Sequence, residues 1–136
     1  MSLTPDQIVT KMLKNDPFSQ WLGIQLNEIK PGYCQLEMIV RKEMLNGFQV
    51  AHGGIAYSLA DSALAFASNS HGKQALSIDT SINHFEKVVE NDELVATATE
   101  ESLKPKVGCY RVEIKKQDKL VALFKGIVYR SSKEWT

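Results

Sequence analysis

Residues Gly53–Gly72 read GGIAYSLADSALAFASNSHG, and the fold turns on how this stretch behaves. Its length and spacing predict a helix of about five turns. The stretch is apolar nearly all round and rich in Ala and Ser. A surface helix keeps a broad polar face, so this one is expected to be enclosed, with small side chains that let neighbouring backbone come close. On both sides of it the pattern changes to strand-like alternation. Upstream, Ile24, Leu26 and Ile29 alternate with polar neighbours, Pro31-Gly32 forms a turn, and Tyr33 to Val40 makes a second strand of a hairpin. Downstream, alternating runs fall at about 74–85, 93–102, 108–115 and 120–130. Turn-like Glu90-Asn91-Asp92, Lys104-Pro105-Lys106 and Gln117-Asp118-Lys119 separate them, which predicts a four-run antiparallel meander. Six strands around one enclosed helix give an α+β class. At the start, Thr4-Pro5-Asp6-Gln7 carries a capping box and a proline at the first helical position, so a helix should run to about Lys14. Asn15-Asp16-Pro17 stops it, and Phe18, Trp21 and Leu22 are expected to latch onto the body of the domain. The polar tail from Ser131 to Thr136 is expected to fray.

Composition narrows the function. The chain has 136 residues, 43% hydrophobic and 24% charged, which suits one domain able to fold without a metal or disulfide. Sixteen Lys and Arg against sixteen Asp and Glu leave no net charge, so no positive field is available to hold nucleic acid. Zero net charge offers little repulsion between copies and suits a protein that self-associates. The opening MSLTPDQIVTKML has no leader pattern, and no apolar run approaches the roughly 18 residues of a membrane span, so a cytoplasmic location is expected. Cys34 and Cys109 lie far apart with no CxxC or His-rich spacing, which predicts neither a zinc site nor a disulfide.

Two features carry chemistry. Asp61 is a carboxylate in the middle of the alanine-rich helix, and its neighbours at three and four positions (Tyr57, Ser58, Leu64, Ala65) supply no cation. Either it faces solvent or bonds Ser58 or Ser62, or it serves a functional site. His52-Gly53-Gly54 stands at the helix start, where free N–H groups and the positive end of the helix dipole receive negative charge. The glycines either just turn the chain into the helix or let a ligand approach that backbone. Gly54 and Asp61 are seven residues apart, within about 20° on one face but separated by roughly 10 Å along the axis. One chain cannot easily place both on one carbonyl. If the Gly53 or Gly54 amide holds an oxyanion while Asp61 activates water, the carboxylate should come from a second subunit across a twofold axis, forming two equivalent composite sites. Strand pairing across that axis would also cover the open edge of the meander.

The motifs Met44-Leu45-Asn46-Gly47, His52-Gly53-Gly54 and Ser58-Leu59-Ala60-Asp61-Ser62-Ala63 resemble the hotdog-fold acyl-CoA thioesterases of the phenylacetic-acid-degradation (PaaI) type. Ala67-Ser68-Asn69-Ser70 and Val121-Ala122-Leu123-Phe124-Lys125-Gly126 look like the same family. The resemblance implies a hotdog fold, a homodimer or homotetramer, and hydrolysis of an acyl-CoA thioester with no cofactor beyond the coenzyme A of the substrate. It implies that the Gly53 N–H polarises the thioester carbonyl, that Asn46 assists, and that Asp61 of the partner subunit activates water or attacks directly through an anhydride. By the same likeness Ser77 helps hold the water, His52 orients the helix start, and Gly54 contributes to binding. Loss of one such oxyanion donor typically costs on the order of 10²–10³ in rate. The chain departs from the family at His84-Phe85-Glu86-Lys87-Val88, where a basic residue followed by Pro is usual. Lys87, Lys104 and Lys106 are candidates for the CoA phosphates, or else solvated loop lysines. The implied acyl group is aromatic, with Tyr57, Phe66, Phe48 and Trp21 as pocket candidates or ordinary core. Other readings are a non-catalytic acyl-CoA-binding module and a hotdog hydratase or dehydratase.

Overall fold

The computed structural model describes residues 2–136. Helix α1 spans Pro5–Lys14, with Thr4 accepting from the Gln7 amide and the Gln7 side chain returning to the Thr4 amide, the capping box read from the sequence. Asn15 ends α1, and Asp16 caps a second short helix, α2, at Pro17–Leu22. The latch is therefore a helix, and its contacts differ from expectation. Leu22 is fully buried, whereas Phe18 and Trp21 stack on each other at the surface and Arg41 lies over the Trp21 ring. Spacing on a helix puts Phe18 and Trp21 on one face, Leu22 beside it, and only the Leu22 side meets the core.

Strands β1 (Gln25–Lys30) and β2 (Tyr33–Ile39) form the hairpin, a 3-10 turn follows at Lys42–Met44, and α3 spans Gly53–Asn69. Strands β3 (Lys73–His84), β4 (Glu93–Leu103), β5 (Val107–Lys116) and β6 (Lys119–Glu134) complete one antiparallel sheet in the order β1-β2-β4-β5-β6-β3. This corrects the meander. β4, β5 and β6 are consecutive neighbours, but β3 pairs with β6 at the far edge instead of with β4. The link from His84 to Glu93 is a crossing, anchored by buried Val88, whose carbonyl accepts from the Ala51 amide at 2.7 Å. Period-two alternation marks strands without saying which ones are adjacent. The tail does not fray either: the Ser131 hydroxyl donates to the Gln74 carbonyl at 2.7 Å, and Trp135 Nε1 donates to Asn69 Oδ1 at 2.8 Å.

The sheet curves round α3, which is the hotdog arrangement. Its inner face meets the helix with small or smoothly packed residues, including Ala96 and Ala98 on β4 and Phe124 on β6, all buried. A close approach falls at Gly126 on β6, where a Cβ would stand 2.7 Å from Leu64 Cδ2. Cys34 is buried and unpaired, and burial pushes its thiol up to about 12. No helix among the described residues is long and apolar enough to cross a membrane.

Candidate active site

Enclosure of α3 is incomplete along one stripe. Leu59, Ala60, Ala63, Leu64, Phe66 and Ala67 are buried, whereas Tyr57, Ser58, Asp61 and Ala65 are half-exposed. Residues at 57, 61 and 65 follow the four-residue row of a helix, so Asp61 stands mid-stripe on the face that the chain's own sheet leaves open. No hydrogen bond or ion pair within the described residues engages its carboxyl, and Ser62 turns instead to Ser19 at 2.8 Å. Partial burial, with the nearby Asp16 charge second, raises the Asp61 carboxyl above its ordinary value.

The start of α3 is sorted by its cap. His52 is the N-cap, and its Nδ1 accepts from the Gly54 amide at 2.9 Å, so that nitrogen carries no proton. The Ile55 amide reaches the His52 carbonyl at 2.9 Å. The Gly53 amide is left with no acceptor among the described residues, at the positive end of the dipole. The Gly54 N–H and the His52 Nδ1 thus satisfy each other. Gly53 opens onto a cleft of ≈ 160 Å³ lined by Val50, His52, His84, Glu86 and Lys87. His84, at the end of β3, lies against Gly53, with Nε2 3.6 Å from where a Cβ would be. Sequence reading passed over its closeness because β3 and the helix start are more than thirty residues apart and no motif joins them.

Asn46 lies in the loop before α3. Its Oδ1 accepts from the Phe48 amide at 2.9 Å and its backbone N–H donates to the Val50 carbonyl at 2.8 Å, so the side-chain oxygen shapes the loop and only the amide nitrogen is free for a ligand. Ser77 is exposed on β3. Two bonds fix its level along α3: Asn69 holds the Ala75 backbone, and the Tyr57 hydroxyl meets Thr80 Oγ1. Ser77 falls between these anchors on β3, two residues from Ala75, which sets it nearer the level of Ala65 than of Asp61 on α3. Lys104 and Lys106 sit in the β4–β5 turn, where their carbonyls bind Arg130. That turn lies at the end of the sheet where α3 finishes, so one chain does not bring these lysines to Gly53, whereas Lys87 is already there. Of the aromatic candidates, Phe66 is core, Tyr57 packs edge-on to Phe124, Trp21 is half-exposed and Phe48 is 88% exposed. Gly53 and Asp61 remain two turns apart, about 12 Å along the axis.

Comparison with known proteins agrees with this fold. The thioesterase superfamily matches residues 48–123, more than half of the 136-residue chain. A relative from Archaeoglobus fulgidus is 45% identical over 96% of this chain and 85% of its own length. The acyl-coenzyme A thioesterase PaaI of Escherichia coli is 38% identical over 88% of this chain and 86% of its own. The solved structure of the E. coli PaaI protein from the phenylacetic acid degradation operon superposes with a TM-score of 0.94, covering 97% of this chain and 96% of that one. The family match over residues 48–123 and the identity to these relatives across most of the chain place it in the thioesterase superfamily as a thioester hydrolase.

Proposed function

We propose that the protein is an acyl-CoA thioesterase acting on aromatic, phenylacetyl-type thioesters, with each active site shared between two subunits of a homodimer. The observation that carries this reading is the pairing of two unsatisfied groups on one helix, the Gly53 amide and the Asp61 carboxyl, too far apart to act on one carbonyl. A second copy resolves the separation. β3 is a free edge of 12 residues that exposes Leu76 and Ile78 at 78% and 63%, the kind of long apolar edge that pairs with another strand. The other edge, β1, has six residues and a bulge between Leu26 and Glu28. Antiparallel β3 pairing about a twofold axis sets the two α3 helices antiparallel, bringing Gly53 of one subunit towards Asp61 of its partner.

In this site the Gly53 N–H donates to the thioester carbonyl oxygen. The partner subunit's Asp61 accepts a proton from a water, and the hydroxide adds to the carbonyl carbon. As the tetrahedral intermediate collapses, the C–S bond breaks and the proton held on Asp61 passes to the leaving CoA thiolate. The developing charge on the carbonyl oxygen sits at a helix N-terminus, where it is stabilised most. The raised basicity of Asp61 suits a general base. Ser77, exposed on β3 about one turn of α3 from Asp61, offers a hydroxyl to the water, and the Asn46 amide nitrogen is free to orient the substrate. An apolar cavity of ≈ 440 Å³, bounded by Met12, Ala65, Leu76, Tyr129 and Trp135, begins one turn beyond Asp61 and has room for an aryl group. Lys87 at the Gly53 cleft is the nearest candidate for a CoA phosphate.

Thiol release from phenylacetyl-, hydroxyphenylacetyl-, benzoyl- and straight-chain acyl-CoA, with wild type beside Asp61→Asn, tests the reading. Hydrolysis of an aromatic thioester that the variant loses is the expected result. Binding of these thioesters without thiol release would overturn it in favour of an acyl-CoA-binding module.

A further inference from the structure

We infer that Asp16 is a positioning residue for Asp61, holding the turn of α3 that carries it through a buried chain of two serines. The inference rests on the thioesterase reading for its kinetic consequence. Asp16 is the cap of α2, where Oδ1 accepts from the Ser19 amide at 3.0 Å and Oδ2 accepts from the Ser19 hydroxyl at 2.6 Å. Ser19 has one hydroxyl hydrogen and has given it to Asp16. The 2.8 Å contact between Ser19 Oγ and Ser62 Oγ must then take its hydrogen from Ser62. The chain therefore runs Ser62 to Ser19 to Asp16, ending on a carboxylate, with Ser19 and Ser62 at 1% and 9% exposure. Ser62 directly follows Asp61, so the chain ties the α1–α2 unit to the backbone that aims the base.

The same carboxylate acts through space. After burial, the charge of Asp16 is what lifts the Asp61 carboxyl above its ordinary value. Elements packed round α3 carry other titratable groups: Lys11 and Lys14 on α1, Glu28 and Lys30 on β1, Glu37 on β2, Asp79 and His84 on β3, Glu93 and Glu100 on β4, Tyr110 on β5 and Lys125 on β6. None of these contributes to that lift, and α2 adds only its cap. A base held by neutral groups alone would titrate lower and be weaker at neutral pH.

Two variants separate the charge from the chain. Asp16→Asn keeps an acceptor for the Ser19 amide, offers an NH2 to the Ser19 hydroxyl so that the serine chain reverses direction without breaking, and removes the charge, while Ser19→Ala keeps the charge and cuts the chain. The readouts are the acid limb of kcat/KM against pH and the titration of the Asp61 side-chain carboxyl followed by 13C NMR. The expected result is that Asp16→Asn moves both downward, while Ser19→Ala lowers kcat several-fold without moving KM or the limb. Unchanged Asp61 titration in Asp16→Asn, with unchanged kcat in Ser19→Ala, would overturn the inference and leave Asp16 as a helix cap. The NMR titration reads without turnover, so a shift in a protein that hydrolyses no thioester would count against the thioesterase reading alone.

Discussion

Gly54 donates its amide hydrogen to Nδ1 of His52 at 2.9 Å, and this one bond decides which backbone group at the start of α3 is available to a substrate. With the Ile55 amide also occupied, Gly53 is the donor left over. The HGG motif thus divides its labour: His52 caps, Gly54 is consumed by the cap, and Gly53 faces the cleft.

Gly53→Pro tests that division. Proline is tolerated at the first helical position, and His52 already has ψ 139, the extended conformation that a residue before proline prefers. The substitution removes one N–H and little else. We expect the helical circular dichroism to persist and kcat to fall on the order of 10²–10³. Retained turnover would show that another donor holds the oxyanion.

Asp61 should cost stability for the same reason that it is a good base. Its carboxyl titrates above the ordinary value when folded, so between the ordinary and the raised value the folded chain binds more protons than the unfolded one. Stability then falls as pH rises through that window and stays lower above it. Asp61→Asn removes the penalty. At pH 7 the variant should melt above wild type, and the difference should vanish below the ordinary carboxylate value, as read by thermal denaturation across pH.

Gly126→Ala addresses the helix–sheet contact. A Cβ there would meet Leu64 Cδ2 at 2.7 Å and Phe124 at 3.2 Å, both buried side chains. Chemical denaturation should show a loss of about 1–3 kcal/mol from overpacking. A neutral result would mean that α3 can lift from the sheet without cost.

Ile78→Lys places a charge on the exposed edge of β3. On the proposed arrangement each site draws on two chains, so sedimentation should show a shift from dimer to monomer and activity should fall in step with the dimer fraction. An active monomer would contradict the shared-site arrangement.

Much of this fold was legible from residues. The capping box at Thr4 and Gln7, the Pro31-Gly32 turn and the small-residue helix each rest on local chemistry, and each stands where local chemistry placed it. The position of β3 was not legible, because strand order is set by hydrogen bonds between segments distant in sequence, and a run such as Lys73–His84 alternates the same way beside either neighbour. The tail was misjudged because Trp135 finds its partner in Asn69, sixty-six residues away. At the site, the separation of Gly54 and Asp61 along one helix face was legible from spacing, whereas the approach of His84 to Gly53 and the Ser62–Ser19–Asp16 chain depend on tertiary packing that no spacing encodes.

The most direct test of the shared site mixes two inactive variants, Gly53→Pro and Asp61→Asn, after subunit dissociation and reassociation. A heterodimer of the two contains one site with both groups intact and one with neither. With random pairing, thioesterase activity should return to about a quarter of the wild-type rate. A mixture that stays as inactive as its components would contradict the account, because it would mean that Gly53 and Asp61 act within one chain.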